Sequence, residues 1–157
     1  DGETGECHNP EPHILPILLQ VAAGRREAVT LFGDDYPTPD GTCVRDYVHV
    51  ADLATAHTAA LALLRREGGT RSLNLGAERG TSLLELVRMV EAVTGRAVPL
   101  RREARRPGDP PILVAASAKA AEALGWRPRY SDLRTIVETA WAWEQGEKKG
   151  GGASVRL

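Results

Sequence analysis

The sequence predicts an α/β protein in which short strands alternate with longer helices. Three observations lead to this class. Brief apolar runs, bounded by glycine or proline, separate segments whose apolar residues recur every three or four positions. One such segment follows a capping box, because Glu85 stands three positions after Ser82. With 157 residues and 42% hydrophobic content, the chain is large enough for one core.

The first two predicted elements are a helix and a strand. Residues 13–23 are apolar on nearly all sides and stop before Gly24, which favours a buried helix with Pro16 in its first turn. Residues 28–32 are β-branched or otherwise apolar, as expected of a short strand.

A turn-rich loop comes next and leads into a second strand. Glycine, proline and aspartate crowd residues 33–42, which excludes regular structure there. Apolar residues then alternate with polar or aromatic ones over 44–50, so we predict a strand with Arg45 at its entrance. The guanidinium can form a surface ion pair with Asp46 or a neighbouring acid, or it can be a fork aimed at a phosphate in a cleft.

Two helices are predicted in the middle of the chain. Asp52 is expected to cap the first, which ends at residues 65–69 and carries many alanines. Residues 72–75 then form a buried strand that Gly76 stops. The second helix follows the capping box and ends before Gly95.

The last third of the chain repeats this pattern. Its predicted elements are a strand at 98–100, an arginine-rich loop at 101–111, an apolar segment at 112–115 and a helix at 117–124. A final helix is capped by Ser131 or Asp132. From Gly146 onward the residues cannot form a core, and we predict a disordered tail.

Composition and charge argue against several partners. The formal charge of -1 creates no global field toward nucleic acid or an anionic membrane. Four arginines cluster within 101–106, but no aromatic residue lies beside them to stack on bases. No apolar run approaches a membrane span. Cys7 and Cys43 are too few for a disulfide framework or a zinc site, so we expect a reducing cytoplasm and no metal.

Known catalytic motifs are absent from the sequence. It has no nucleophile elbow, no Walker loop and no Gly-x-Gly-x-x-Gly turn. A Tyr-x-x-x-Lys pair is also missing, since Asp40, Ala51 and Arg134 follow the three tyrosines at the fourth position. We therefore predict no catalytic residue and no cofactor-binding residue in this chain, and binding of an anion is better supported than reaction with it.

Two arginines and one acid point to such an anion. Arg45 and Arg106 lie in separate loops, and two converging guanidiniums suit a pyrophosphate. Asp109 could accept hydrogen bonds from sugar hydroxyls nearby. The alternatives are a solvated loop charge at Arg106 and an Asx-type turn before Pro110 at Asp109.

At this level of detail the sequence resembles the C-terminal part of the UDP-glucose 4-epimerase family, within the extended short-chain dehydrogenases/reductases. The long segment 31–54, which contains Gly-Asp-Asp-Tyr-Pro-Thr-Pro-Asp-Gly and Val-Arg-Asp-Tyr-Val-His-Val, is highly specific. Weaker matches are His-Asn-Pro-Glu-Pro-His-Ile-Leu-Pro at 8–16, Leu-Asn-Leu-Gly at 73–76, Arg-Arg-Pro-Gly-Asp-Pro-Pro at 105–111 and Leu-Gly-Trp at 124–126. Together they cover roughly residues 1–145 in family order.

The resemblance implies a fold, a reaction and a cofactor. The expected fold is the substrate-binding C-terminal portion of a Rossmann-type enzyme that interconverts UDP-glucose and UDP-galactose through a 4-keto intermediate. NAD is expected to bind mainly to an N-terminal half that this chain lacks. The expected partners are the UDP-sugar and, in the full-length protein, a second copy in a homodimer.

The resemblance also implies roles for individual residues. Arg45 and Arg106 correspond to the arginines that clamp the diphosphate, and Asp109 corresponds to the acid that holds ribose hydroxyls. Thr30 and Phe32 fall where the family holds uracil, mostly through backbone groups.

Three further positions fall near the nucleotide-sugar in the family. His13 and Ile14 match a helix start that touches it. Leu113 falls beside the sugar, where a large tyrosine is associated with rejection of N-acetylated sugars. The leucine therefore suggests room for UDP-N-acetylglucosamine.

The matched segments divide the chain into a UDP-sugar-binding portion, 1–145, and the tail, 146–157. Within the first portion, residues 49–76 resemble pieces that pack on the NAD-binding half. We expect the isolated chain to fold poorly and not to epimerise, because that apolar surface would be exposed. The alternatives are an epimerase of another UDP-sugar, with UDP-N-acetylglucosamine, UDP-arabinose or UDP-glucuronate as substrate, or a non-catalytic nucleotide-sugar-binding remnant.

Overall fold

A computed structural model describes residues 8–146, in which helices and short strands alternate as predicted. The elements are α1 (Ile14–Ala22), β1 (Val29–Phe32), β2 (Val44–Asp46), α2 (Val50–Glu67), β3 (Gly80–Ser82), α3 (Leu83–Thr94), β4 (Leu100–Glu103), β5 (Ile112–Leu113), α4 (Ala118–Leu124) and α5 (Leu133–Gly146). The strands form two small sheets, β1-β4 and β3-β2-β5. The α/β class is thus confirmed.

The first sheet pairs β1 with β4 in parallel, from Val29 opposite Leu100 to Phe32 opposite Glu103. Val29 and Leu31 point into the core, while the side chains of Thr30 and Phe32 are only partly buried. The strand predicted at 98–100 lies instead at Leu100–Glu103, because its pairing with β1 begins at Leu100. This pairing places the arginine-rich loop beside the loop that follows β1.

The second sheet has β2 at its centre, antiparallel to β3 and parallel to β5. Arg45 lies opposite Thr81 on one side and Leu113 on the other. The strand predicted over 44–50 ends early, at Asp46, which pairs with the first residue of β3. Beyond that point no neighbouring strand continues the ladder, and a strand needs one. The sequence did not predict β3.

The main core lies between α1, α3 and α5 and the first sheet. Leu18, Leu86, Val90 and Val137 are each 0% exposed. They lie three or four residues from other apolar positions on their helices, which gives each helix one continuous buried face. The buried faces predicted for the last two of these helices are confirmed.

The predicted capping box is present at the start of α3. The hydroxyl of Ser82 accepts from the Glu85 N–H at 3.1 Å, and the Glu85 carboxylate accepts from the Ser82 N–H at 2.8 Å. Gly95 ends the helix with φ 68°, a left-handed conformation that glycine adopts without strain. Both ends of this helix follow from local sequence alone.

The predicted N-cap of α2 was wrong. The helix begins at Val50, and the ring of His49 accepts from the Ala51 N–H at 3.0 Å. Asp52 lies in the first turn and is 1% exposed. It serves as a tertiary anchor, because its carboxylate accepts from Arg129 N at 2.9 Å, Tyr130 N at 2.9 Å and Ser131 Oγ at 2.6 Å.

Two other helix starts agree with the prediction, and their contacts add detail. α4 begins at Ala118 with Ser117 as its N-cap residue, and Ser117 donates both its N–H and its hydroxyl to Glu78 instead of capping through its side chain. For α5 the choice left open is settled by contacts. Asp132 accepts from the Thr135 N–H at 3.0 Å, whereas Ser131 is occupied by the buried carboxylate described above.

One face of α2 is left uncovered by the rest of the described chain. Val50, Leu61 and Leu64 are 73%, 49% and 45% exposed. Residues 72–75, predicted as a buried strand, pair with no strand among the described residues, so that prediction was wrong for this chain. Leu73 and Leu75 instead line an apolar groove of about 200 Å³ beside α2.

The predicted chain ends fall mostly outside the described residues. Before α1, residues 8–12 join no helix or strand, and 1–7 are not described. Of the expected tail, Gly146 closes α5 and 147–157 are not described.

The contacts of Asp52 predict how stability depends on this residue and on pH. Burial raises the pKa of its carboxyl, but the hydrogen bonds from Ser131, Arg129 and Tyr130 outweigh burial and hold the pKa below its ordinary value. Asp52→Asn should therefore lower the free energy of unfolding by about 2 kcal/mol at neutral pH. Because the folded-state pKa is lowered, this contribution is present above about pH 4 and is lost as pH falls through the folded value.

Urea denaturation of the intact natural polypeptide at pH 7 and pH 3 measures this effect. Asp132→Asn is the matched control, since asparagine keeps the capping oxygen of α5 and should change stability little. Equal losses in the two variants, or a loss from Asp52→Asn that is the same at both pH values, would contradict the assignment.

Candidate functional site

A cleft of about 540 Å³ opens between the start of α1, β1, β2 and the arginine-rich loop. Its lining residues are Pro12, His13, Ile14, Ile17, Arg26, Ala28, Val29, Thr30, Phe32, Cys43, Arg45, Tyr47, Leu83, Arg106 and Asp109. We call it the basic cleft, because it has three arginines and one carboxylate. Seven of the eight residues predicted from sequence lie here, and only Leu113 does not.

Arg45 is held firmly on the wall of the basic cleft. Its Nη1 donates to the carbonyls of Val44 at 2.8 Å and Pro110 at 2.9 Å, and its Nη2 donates to Asp109 Oδ1 at 2.9 Å. The side chain is 22% exposed. These bonds use three of the five N–H donors of the guanidinium, so two remain for a ligand.

Arg45 does form an ion pair, as one of the two alternatives proposed, but its partner is Asp109 and not Asp46. The Asp46 carboxylate instead accepts from the backbone N–H groups of Ala77, Glu78 and Ala115, at 3.1, 3.1 and 3.3 Å. Those bonds join β2 to the segments before β3 and after β5. Asp46 therefore stabilises the sheet, and the cleft arginine pairs with Asp109 across 64 residues of sequence.

Arg106 faces the cleft in a different way. Its Cζ lies 3.8 Å from the centre of the Phe32 ring. Within residues 8–146 its guanidinium has no hydrogen bond and no ion pair, so its donors are available to an anion. The carboxylate of Asp109, three residues later, is bonded to the other arginine and to no backbone N–H of its turn. The alternative given for Asp109, an Asx-type turn before Pro110, is thus not formed.

The free edge of β1 forms another wall of the basic cleft. Val29 and Gly33 donate their N–H groups toward β4, to Pro99 O and Glu103 O, both at 2.9 Å. Backbone groups alternate in direction along a strand, so those of Thr30 and Phe32 point to the opposite edge, away from β4. Paired backbone donors and acceptors of this kind can bind a flat polar ring.

The start of α1 closes one end of the cleft. His13 is the N-cap residue, and both its N–H and its ring nitrogen Nδ1 lie 2.8 Å from the Glu11 carboxylate. Ile14 is half-buried beside it. The imidazole is therefore engaged by a neighbouring acid, while the isoleucine contributes apolar surface.

Sequence reasoning missed several cleft residues. Cys43 and Tyr47 stand two positions before and after Arg45, so strand alternation could have placed them on the same side. Burial raises the pKa of the Cys43 thiol, and burial raises the pKa of Tyr47 to about 12. Both groups are neutral near pH 7, so they add no negative charge to the cleft.

Arg26 is the third cleft arginine, and the sequence offered little to identify it. It follows the C-terminus of α1, where basic residues are common for local reasons. In the structure its Nε donates to Gln20 Oε1 at 2.6 Å, and it has no acidic partner among residues 8–146.

Leu113 lies outside the basic cleft. It is 58% exposed on β5, where it pairs in register with Arg45. With Arg45 it lines an adjoining depression of about 690 Å³ that also includes Asn74, Leu75 and Ala115. The arginine thus separates the two cavities and lines both.

Two other features are absent from the described residues, namely a metal site and a membrane-spanning helix. Between His8 and Gly146 no group of three or more His, Cys, Asp or Glu side chains is placed to hold a metal ion. No helix in that range is long and apolar enough to span a membrane.

Comparison with known proteins places the chain in a family. Residues 2–139 match the family model described as GDP-mannose 4,6 dehydratase. Because the match covers most of the chain, the chain belongs to that family. Its solved relatives have the Rossmann-type fold of the short-chain dehydrogenases/reductases, as the sequence predicted.

More specifically, its relatives are UDP-glucose 4-epimerases, which confirms the resemblance. The enzyme of Streptococcus mutans is 51% identical over 150 residues, which are 96% of this chain and 45% of that protein. The enzyme of Corynebacterium glutamicum is 52% identical over 143 residues, 90% of this chain and 43% of the relative. The chain therefore spans about half the length of the curated relatives it matches.

Solved structures agree with this match. The UDP-glucose 4-epimerase of Brucella ovis in complex with NAD superposes with a TM-score of 0.85 at 52% identity, over 90% of this chain and 43% of that one. The enzyme of Bifidobacterium longum in complex with NAD+ and UDP gives a TM-score of 0.82 at 36% identity, over 88% and 41%.

Proposed function

We propose that this chain is the UDP-sugar-binding part of a UDP-glucose 4-epimerase that interconverts UDP-glucose and UDP-galactose through an NAD-dependent 4-keto intermediate. The observation that supports it best is the basic cleft, in which Arg45, Arg106 and Asp109 meet beside the free edge of β1. The similarity to epimerases at about half their length supports the same assignment.

In this proposal the cleft binds the nucleotide end of the substrate. Arg106 and the two remaining donors of Arg45 bind the diphosphate, and the Asp109 carboxylate accepts from the ribose hydroxyls. The backbone of Thr30 and Phe32 binds uracil, whose two carbonyls and one N–H complement a strand edge. His13 and Ile14 close the end of the site against the nucleotide-sugar.

Binding the nucleotide end firmly has a chemical purpose. A 4-keto sugar must turn over between removal and return of hydride, so the hexose has to be held loosely. Charge-assisted hydrogen bonds contribute about 1.5–3 kcal/mol each, which lets the diphosphate carry most of the binding energy.

The residues of this chain do not fit an NAD site. No Gly-x-Gly-x-x-Gly turn joins a strand to a helix, and no Tyr-x-x-x-Lys pair is present. We therefore assign NAD and the Tyr-x-x-x-Lys pair to a part of the intact polypeptide outside these residues. In that part NAD would supply the hydride chemistry, whereas the residues of this chain position the substrate.

The uncovered face of α2 is consistent with an NAD-binding part elsewhere in the intact polypeptide. We propose that residues 1–145 are the substrate-binding portion and that 49–76 packs on the NAD-binding half. Val50, Leu61 and Leu64, exposed here, would be covered by that contact.

We also propose a homodimer in the cytoplasm, which sedimentation and cell fractionation of the intact polypeptide would test.

Two other functions are compatible with the same cleft. A non-catalytic remnant would bind UDP in the same cleft without turnover in the intact polypeptide. An epimerase of another UDP-sugar would use the same nucleotide-end residues. One solved relative, the Campylobacter jejuni enzyme, is described as a UDP-Glc/GlcNAc 4-epimerase and is 37% identical with a TM-score of 0.75.

The first prediction concerns the diphosphate clamp. In the intact polypeptide, Arg45→Ala should weaken UDP binding by about 2 kcal/mol, roughly 30-fold in Kd, because charge-assisted bonds are lost. Isothermal calorimetry with UDP measures the change. Arg102→Ala is the control, since Arg102 is 70% exposed and pairs with Asp34 outside the cleft. Unchanged affinity in Arg45→Ala would remove this residue from the site.

A second prediction concerns the chain by itself. Residues 1–157 expressed alone should show no epimerase activity and should bind a dye for exposed apolar surface, because the face of α2 has no cover. Activity assays with added NAD and thermal unfolding test this. Turnover together with a cooperative transition in the absence of any other chain would refute the proposal that this chain needs a separate NAD-binding half.

A third prediction concerns the sugar. Leu113 is a small, exposed side chain beside Arg45, so the intact enzyme should turn over UDP-N-acetylglucosamine and UDP-glucose at comparable rates. Leu113→Tyr should reduce kcat/KM for the N-acetylated substrate by about tenfold or more and leave UDP-glucose nearly unchanged. Strict rejection of the N-acetylated sugar by the natural enzyme would refute the role of this residue.

A further inference from the structure

Two consecutive arginines of the arginine-rich loop lie on two aromatic rings, one at the end of β1 and one in the loop that follows it. The Cζ of Arg105 lies 4.3 Å from the centre of the Tyr36 ring, and the Cζ of Arg106 lies 3.8 Å from the centre of the Phe32 ring. The chain has one phenylalanine, and it occupies this position. The two loops are thus joined at two adjacent points.

The first of these contacts is a rigid anchor. Tyr36 is 4% exposed, and the Arg105 guanidinium also donates from Nε to Asp35 Oδ1 at 2.7 Å. Gly33 makes the close approach possible, because its φ is 80° and a Cβ there would lie 2.6 Å from Arg105 Cγ. The backbone that carries Arg106 is therefore fixed from one side.

The second contact fixes the plane of the Arg106 guanidinium and leaves its edges free. All five N–H donors of an arginine point outward in the plane of the group, whereas a ring contacts its face. Phe32 therefore restrains Arg106 without using a hydrogen bond. No other group within residues 8–146 bonds this guanidinium, so the ring is its one restraint in the described chain.

The two cleft arginines are thus held in different ways. Arg45 is oriented by three hydrogen bonds that use three of its donors. Arg106 is oriented by an aromatic face that uses none. Arg106 therefore offers a bound phosphate more free N–H donors than Arg45 does. These donors favour binding only if the side chain is already in place before the phosphate arrives.

We propose that the side chain of Phe32 is a positioning residue, which holds the Arg106 guanidinium ready to bind the diphosphate. This inference rests on the proposed function, and it assigns to the ring a role separate from the backbone contacts expected at the same residue. An aliphatic side chain of similar size would fill the space without the attraction of a π face for a cation.

The test is a set of variants of the intact polypeptide, titrated by calorimetry with UDP and with uridine. Phe32→Leu should weaken UDP binding about fivefold, as expected for loss of one exposed cation–π contact. Uridine, which has no phosphate, should bind as tightly as before. Phe32→Tyr should restore UDP affinity, because it keeps the ring. Steady-state kinetics should show a raised KM with kcat unchanged.

A double-mutant cycle separates positioning from general structure. In an Arg106→Gln background, Phe32→Leu should have no further effect on UDP affinity, because the group it positions is gone. If the leucine variant does not fold, Phe32→Met provides the same comparison with a longer side chain.

Several results would overturn the inference. Equal losses for UDP and uridine would mean that the ring stacks on the base. An undiminished UDP affinity in Phe32→Leu, or the same loss with and without Arg106, would mean that the ring does not position the guanidinium. Failure of the natural protein to bind UDP at all is a different result, which would refute the proposed function itself.

Discussion

The hydrogen bonds of Arg45 are the interaction on which the candidate site depends. One guanidinium joins β2 to the Asp109 carboxylate and the Pro110 carbonyl, which lie 64 and 65 residues further along the chain. Together with the hydrogen bond from the Val44 N–H to the Pro111 carbonyl at 2.8 Å, this contact joins the second half of the arginine-rich loop to β2. Because the arginine is 22% exposed, its bonds are partly shielded from water and stronger than those of a surface pair.

The two small sheets give this contact its place. β1 and β4 pair in parallel, so the loops that leave their carboxyl ends lie side by side. β2 lies between β3 and β5, so the arginine at its second position faces the segment just before β5. Ligand sites at the carboxyl ends of parallel strands are a general feature of α/β proteins, and the basic cleft follows it with very few strands.

Stability is distributed unevenly over the structure. The faces of α1, α3 and α5 close the main core. The buried carboxylate of Asp52 joins α2 to the segment before α5. A second, smaller apolar cluster packs Ala56 of α2 against Ala120 and Trp126, and the ring nitrogen of Trp126 donates to the Asp52 carbonyl at 2.9 Å. The other face of α2 has apolar residues at the surface. A helix anchored on one side by polar bonds and left apolar on the other is typical of a surface that packs on further protein.

Local sequence determined the features that depend on a few neighbouring residues. Three such predictions are confirmed: the capping box before Leu83, the glycine that ends the helix at 95 and the turn-rich loop after Phe32. In each of them, nearby residues provide the hydrogen bonds or the backbone conformation that the feature needs. Seven of the eight residues that the family resemblance singled out line one cleft, since matched segments in family order carry information about distant positions that periodicity lacks. What the sequence could not supply were pairings between distant segments.

Only the tertiary structure decided those pairings. It moved the predicted strand at 98–100 to match β1, ended β2 at Asp46 where its partner begins, and changed Asp52 from a helix cap to a buried anchor. It also placed Phe32 under Arg106. The physical reason is the same in each case. A strand needs a ladder partner, a buried carboxylate needs donors and a guanidinium needs a counterpart, and these partners lie tens of residues away, where no local pattern can identify them.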